Sequence, residues 1–260
     1  PRVLHHCAAS PGGSSDQPCD IHACMTHVAV TAILAHLEMV QAERAARAAD
    51  MSLASRVEAV KRYQQHRFAL TYADLLAHPR YAGASRFFLA ELYGPTDFTQ
   101  RDAQFARVVP GLVRLFPSEV VDTVQTLADL HALSERFDSL MARELASAAV
   151  DAQSYARAWQ ACDNAEGRER QIALLLRVGH DLDGLTRSAL LRHSLRVLRA
   201  PARAAGLAAL QSFLERGFDT FRAMRGAEEF LALIGQRERE LAAALFAVEP
   251  TQAQRLGQLP

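Results

Sequence analysis

The chain has 260 residues, of which 50% are hydrophobic and 22% are charged, as is typical of a globular protein with a sizeable core. Basic and acidic residues balance at 29 each, so no net charge draws the protein to nucleic acid or to an anionic membrane surface. The four cysteines are too few and too unevenly spaced for a disulfide framework, and no apolar run reaches the roughly 18 residues of a membrane span. We therefore expect a soluble, cytoplasmic protein that binds neither nucleic acid nor membrane.

Residues 1–24 are rich in proline, glycine and serine and show no apolar period, which predicts a disordered N-terminal extension. Cys19 and Cys24 are separated by four residues, and no second pair of the Cys-x-x-Cys kind is present. A tail without a metal site is the simpler interpretation, and we predict no bound metal. The alternative is a zinc site, since the segment contains side chains of the types that bind zinc, namely His5, His6, Cys7, Cys19, His22 and Cys24.

From Met25 onward the chain is predicted to be helical, because apolar residues recur every three or four positions and no segment alternates as a strand requires. Ser55 and Glu58 match a capping box, Asp151 can cap the helix that follows it, and Pro201 suits the first turn of another helix. These signals predict a single all-α domain over residues 25–249, a bundle of about nine helices, followed by a flexible tail at residues 250–260. The expected helices begin at Met25, Ser55 or Ser52, Ala82, Thr99, Pro117, Asp151, Arg168, Leu185, Pro201 and Ala227, and Pro110 is expected to kink or divide the one that begins at Thr99.

One corner of the chain, between Arg86 and Arg114, has an unusual composition, since two aromatic-rich helices meet there at Gly94-Pro95 and charged residues gather around the break. If the two helices fold against each other, the acids of this corner can act as a base, the arginines as anion clamps and the tyrosine as a proton donor. The simpler interpretation is structural, because the same acids can cap or begin a helix and the arginines can form ion pairs. The residues concerned are Arg86, Tyr93, Asp97, Arg101 and Asp102.

The longest predicted helix carries a second polar group, formed by Asp129, His131, Glu135 and Asp138. His131 and Glu135 are one turn apart, so they can share a metal ion or shift each other's pKa. The chain lacks the Glu-x-x-His motifs of di-iron bundles, and an ordinary hydrogen bond between helices explains His131 as well. If the corner and this helix form one pocket, their side chains should converge around a cavity rather than lie on separate outer faces.

The other candidate residues are weaker. His180 and His193 lie on later helices, where a lone histidine is weak support for a haem ligand. A basic stripe that could bind nucleic acid recurs at helical spacing, but Lys61 is the only lysine of the chain, and such a general preference for arginine favours a solvated face. The stripe consists of Arg192, Arg196, Arg199 and Arg203.

Four blocks of sequence resemble a bacterial family of all-helical proteins that has no assigned function. The most specific is FFLAELYGPTDFTQRD, of the form FFLxxLYGPxDFxxRD, and the others are LADLHALSERFD, RQIALLLRVG and APARAAGLAALQSFLERGFDTFRAM. The likeness runs from about Arg67 to Glu240. It implies one helical domain and draws attention to Tyr93, Asp97, Arg101 and Asp102, but it supplies no catalytic residue.

The sequence thus favours a helical-bundle protein that binds a partner protein or an apolar small ligand without catalysis of its own, with a homodimer as a further option. This hypothesis rests on the apolar helix surface and on the lack of any catalytic motif, and it includes no cofactor. The alternative is an enzyme, or a protein that binds haem or a metal, with a pocket formed by residues 86–102, His131 and Glu135.

Overall fold

A computed structural model describes residues 21–91, 96 and 98–260, with side chains from residue 26 onward. Most of the predicted N-terminal extension therefore lies outside the described residues, and so do Tyr93 and Asp97. The first helix begins at Ile21, four residues before the position expected from the sequence.

The described residues form eleven α-helices and a C-terminal 3-10 helix, and none of them is in a strand. The predicted all-α class is confirmed, while the count exceeds the expected nine. One extra helix arises because the chain breaks at Tyr72, which separates a five-residue helix from the longer one before it. The α-helices are α1 Ile21–Ala49, α2 Met51–Thr71, α3 Ala73–Ala77, α4 Ala82–Glu91, α5 Thr99–Leu115, α6 Ser118–Glu144, α7 Ala152–Ala161, α8 Ala165–Leu185, α9 Ala189–Ala204, α10 Ala208–Met224 and α11 Glu228–Ala247.

Side-chain caps begin four of the described helices, namely α2, α7, α8 and α9. Asp50 begins α2 by accepting hydrogen bonds from the amides of Ser52 (2.9 Å) and Leu53 (3.0 Å), so the capping box predicted at Ser55 is wrong. Asp151 begins α7 with a reciprocal capping box to Ser154, as its position predicts.

The two helix-internal prolines, Pro110 and Pro201, do not divide their helices. The prediction that Pro201 begins a new helix is wrong, because α9 continues through it to Ala204. The chain turns two residues later at Gly206, whose φ of 71° is the left-handed conformation that often follows a helix end.

The helices pack around α6, which contacts α1, α2, α5, α7 and α8. Three groups of buried apolar side chains surround it, and α6 contributes Met141 to the first, Leu130 to the second and Val121 to the third. The first group also draws on α2, α7 and α11, the second on α4, α8, α10 and α11, and the third on α1 and α5. The face of α6 between these groups holds the polar residues described below.

The segment after α11 packs against the bundle, although the sequence predicts a flexible tail there. Pro250–Leu256 forms the 3-10 helix, Ala253 and Leu259 are buried, and the Tyr63 hydroxyl donates a hydrogen bond to the Pro260 carbonyl (3.3 Å). None of the described helices is long and apolar enough to cross a membrane.

Close packing of α8 against α11 depends on Gly179, where an added Cβ would lie 2.4 Å from Leu231 Cδ2. Leu231 is fully buried and cannot move aside easily, so Gly179→Ala should lower the free energy of unfolding by about 1–3 kcal/mol. Gly184 is the matched control on the same helix, because nothing lies within 4 Å of its added Cβ. Gly184→Ala should change stability by less than about 1 kcal/mol in urea unfolding; equal losses in the two variants would contradict the packing argument.

Candidate functional site

One face of α6 carries the polar side chains of the candidate site. His131, Ser134, Glu135 and Asp138 follow one another at spacings of one to four residues, so they lie on neighbouring turns of one face of the helix. This face looks toward α1, α2, α5 and α8, whose charged residues supply the partners.

Glu135 is the centre of a buried ion cluster. Arg47 of α1 donates to its Oε2 and to its backbone carbonyl, and Lys61 Nζ of α2 lies 2.7 Å from Oε1. Arg47 also donates to the Ser139 hydroxyl. Burial by itself raises the pKa of Glu135, but the charges and hydrogen bonds of Lys61 and Arg47 outweigh it and lower the pKa to about 2. The ionised carboxylate therefore ties three helices together.

Asp102 and His131 form a second polar contact beside the first. His131 Nε2 donates to Asp102 Oδ2 (2.8 Å), and Arg44 Nη2 lies 2.7 Å from the same oxygen. Burial raises the pKa of Asp102, yet the hydrogen bond and charge of His131, with Arg101 and Arg44, lower it to about 2. The arrangement orients the imidazole through an ionised carboxylate.

Arg101 lies on aromatic rings at the corner that the sequence singled out. Its guanidinium carbon is 3.9 Å from the centre of the Phe98 ring and 4.5 Å from that of Phe213. Glu91 lies 3.6 Å from Arg101 Nη1 and accepts a hydrogen bond of 2.6 Å from Arg216.

Several of these groups line a cavity of about 220 Å³, whose apolar lining residues are called here its apolar wall and whose polar lining residues are called its polar wall. Side chains of α1, α5, α6, α8 and α10 form the apolar wall, among them Leu37, Phe105, Leu112, Val124, Leu127, Ala128, Leu175 and Leu210. The polar wall includes Lys61, Arg67, Arg101, Asp102, His131, Ser134, Glu135, Asp138, Trp159, Arg168, Gln171 and Glu238.

Arg168 of α8 belongs to this wall and is only 4% exposed. Its guanidinium carbon lies between the rings of Phe137 and Trp159, 3.9 Å from each centre. Nη1 donates to the Gln171 side chain (3.2 Å), whereas Nη2 has no acceptor among the described residues. The nearby Asp138 is also buried, and burial raises its pKa despite Lys61 Nζ at 3.7 Å.

The structure brings together part of the predicted site. Arg101, Asp102, His131 and Glu135 all line the cavity, although they come from two helices far apart in sequence. Arg86 does not, because α4 buries its neighbours Phe87 and Phe88 and leaves residue 86 exposed. Tyr93 and Asp97 lie outside the described residues.

The remaining candidates lie away from the cavity. His180 and His193 are exposed, and Asp129 binds Arg170 Nη2 at 2.7 Å. Arg199 of the basic stripe pairs with Glu215 at 2.9 Å. Among the described residues, no three His, Cys, Asp or Glu side chains are grouped so that they could hold a metal ion.

Sequence reasoning missed several residues of the site, namely Arg44, Arg47, Lys61, Trp159 and Arg168. Two signals were present, since Lys61 is the only lysine and Trp159 the only tryptophan of the chain. Nothing in the sequence marks the three arginines as site residues, because arginine is common in this chain and their spacing fits ordinary helices.

Glu135→Gln should lower the free energy of unfolding at pH 7 by about 3 kcal/mol, because the buried Arg47 would lose its carboxylate and Lys61 would keep only the more distant Asp138. The matched control is Glu58→Gln, which removes an exposed i,i+4 pair with Arg62 and should cost less than about 0.5 kcal/mol. Urea unfolding measures both changes.

The pH dependence of stability in the wild type and in Glu135→Gln tests the charge of Glu135. The folded-state pKa of Glu135 is below its usual 4.5, so its stabilisation is complete above that pH and is lost as the pH falls toward about 2. The stability difference between wild type and Glu135→Gln should therefore shrink over this range. A difference that stays constant down to pH 2 would show that Glu135 does not act through its charge.

Comparison with known proteins places the chain in a family. The family model described as Domain of unknown function (DUF8198) matches residues 43–252, a range that contains the cavity wall except Leu37. No curated protein and no solved structure matches the chain. The match extends the resemblance seen in the sequence at both ends and includes Arg44, Arg47 and Lys61. The chain belongs to the family described as Domain of unknown function (DUF8198).

Proposed function

We propose that the protein binds an apolar small molecule inside the bundle, in the cavity beside α6. The observation that carries this proposal is the cavity itself, which is lined by many apolar side chains together with polar groups that are already in place. Ligand sites in proteins typically combine apolar walls with a few convergent polar groups. Natural protein interiors otherwise keep few voids larger than a water molecule.

The volume limits the size of the ligand. A dry cavity of roughly 150 Å³ holds one benzene molecule, so a cavity of about 220 Å³ has room for about nine non-hydrogen atoms. This points to a short alkyl or a monocyclic aryl compound rather than to a large cofactor.

A small molecule is favoured over a partner protein or a second copy of this chain. Large apolar side chains are exposed on several helices, with Val28 on α1, Leu115 on α5 and, on α9, Leu190, Val197 and Leu198. The apolar side chains of the cavity, in contrast, line a single concave space. We keep the homodimer as a prediction, and we place the protein in the cytoplasm because of its low cysteine count.

Binding of 1-octanol, a neutral molecule of suitable size, tests the proposal. Trp159 is the only tryptophan and belongs to the cavity wall, so its fluorescence should change and saturate as octanol binds. Ala128→Leu adds three carbon atoms at the apolar wall and should weaken binding at least tenfold. Ala103→Leu, on the exposed side of α5, is the control and should bind as wild type does. Binding that Ala128→Leu leaves unchanged would place the ligand elsewhere.

A second candidate function is an enzyme that uses His131 as a general base. The observation that favours it is the bond from His131 to the ionised Asp102 on the wall of the cavity, because such a carboxylate fixes the orientation and tautomer of a histidine. The contact with Asp102 is made by Nε2 of His131, so the general base in this proposal would be the Nδ1 atom.

Hydrolysis of p-nitrophenyl butyrate, a small activated ester, distinguishes the second candidate from binding alone. If His131 acts as a base, His131→Gln should lower kcat/KM by about 100-fold. His180→Gln removes an exposed histidine and should leave the rate unchanged. Similar rates in wild type and both variants would argue against catalysis at this site.

A further inference from the structure

We propose that the ligand of the cavity carries a carboxylate, and that Arg168 and Trp159 bind this group. The inference rests on the function proposed above, because it names the chemical class of the molecule that the cavity holds. It is based on two buried donors that have no acceptor and on the balance of charge around the cavity.

Arg168 is a buried cation that lacks a counter-ion. Among the described residues, no ion pair includes its guanidinium, and its Nη2 atom has no acceptor although the side chain is only 4% exposed. The charge of Asp138 acts on it, but Asp138 lies 3.7 Å from Lys61 Nζ and forms no hydrogen bond or ion pair with Arg168 among the described residues. A buried cation without a partner is costly, so its presence at the wall of a cavity points to an anion that binds there.

Trp159 supplies a second donor at the same place. Its ring packs on the Arg168 guanidinium at 3.9 Å, and its buried Nε1 atom also has no acceptor among the described residues. A carboxylate has two oxygens that accept hydrogen bonds, and its charge-assisted bonds to a guanidinium are stronger than neutral ones. The Phe137 and Trp159 rings hold the guanidinium in place, so little ordering is needed on binding.

Two acids of the cavity wall, Glu135 and Glu238, are already paired with side chains other than Arg168. Glu135 binds Arg47 and Lys61, and Glu238 accepts hydrogen bonds from Arg67 and Tyr72. The wall contains four cationic side chains, and three further arginines outside it pair with its acids, so seven cations face five carboxylates. The cations are Lys61, Arg67, Arg101 and Arg168 of the wall and Arg44, Arg47 and Arg216 outside it, and the carboxylates are Glu91, Asp102, Glu135, Asp138 and Glu238. The excess positive charge favours an anionic ligand over a neutral or cationic one.

The volume favours a carboxylate over a phosphate. Of the roughly nine non-hydrogen atoms that fit, a carboxylate takes three and leaves about six for the apolar body. A phosphate monoester has a larger and more highly charged head, which leaves less of the apolar wall covered.

Four probes with the same eight-carbon chain test the inference: octanoate, 1-octanol, octylamine and octyl phosphate. Titration against Trp159 fluorescence at pH 7 should show that octanoate binds at least tenfold more tightly than the other three. Arg168→Met should weaken octanoate binding at least tenfold and leave 1-octanol unchanged. Arg170→Met removes an exposed arginine of the same helix and should bind all probes as wild type does.

The stability of the unliganded protein distinguishes a role of Arg168 in ligand binding from a purely structural role. If the cation is held in place for a ligand, Arg168→Met should leave the urea midpoint unchanged or raise it, because it removes an unpaired buried charge. If Arg168 serves only to pack against Phe137 and Trp159, the midpoint should fall. Arg168→Gln, which keeps a donor and removes the charge, replaces Arg168→Met in both tests if the latter does not fold.

The outcomes separate the two proposals. Tight binding of 1-octanol with no preference for octanoate overturns the carboxylate inference and leaves the proposed function in place. A preference for octyl phosphate, or octanoate binding that survives the loss of the Arg168 charge, also overturns the inference. Failure of every probe to change Trp159 fluorescence overturns both proposals.

Discussion

The buried contact of Glu135 with Arg47 and Lys61 is the interaction on which the arrangement of the helices around the site depends. It joins α1 and α2 to α6 through the buried Arg47 and Glu135 and the partly buried Lys61, and an unpaired charge in such surroundings is costly. Each helix must therefore stay close to the others for the charges to remain paired. The cavity lies beside this contact, so the same ions that order the helices also form part of its polar wall.

The site combines two environments that are usually separate in a helical bundle. Apolar side chains of α5 and α6 face a wall in which nearly every acid is paired with a cation or a donor. Buried donors without an acceptor remain on Arg101, Arg168 and Trp159, and among these Arg168 is the cation that has no ion pair among the described residues. The family match covers this region and carries no assigned function, so the proposals rest on the geometry of these side chains.

The two proposed functions, binding and catalysis, would use the same groups in different ways. The Asp102–His131 contact has a structural role as a link between α5 and α6, and it also has the orientation that a general base needs. Arg101, which lies on two aromatic rings beside it, extends the polar wall toward the corner between α4 and α5. Binding requires only that these groups stay in place, whereas catalysis requires His131 to exchange a proton with the ligand.

The sequence by itself determined the helical class and most helix positions, because the apolar period, the capping residues and the helix-ending glycines each depend on only a few neighbouring residues. Only the tertiary structure decided that Asp102 and His131 touch, since they are 29 residues apart and the packing of α5 on α6 is set by the whole core. The sequence also missed Arg168, because one arginine among many becomes distinctive only when burial deprives it of water and of a counter-ion. Local order follows from neighbouring residues, while the chemistry of the site follows from which distant side chains share a buried space.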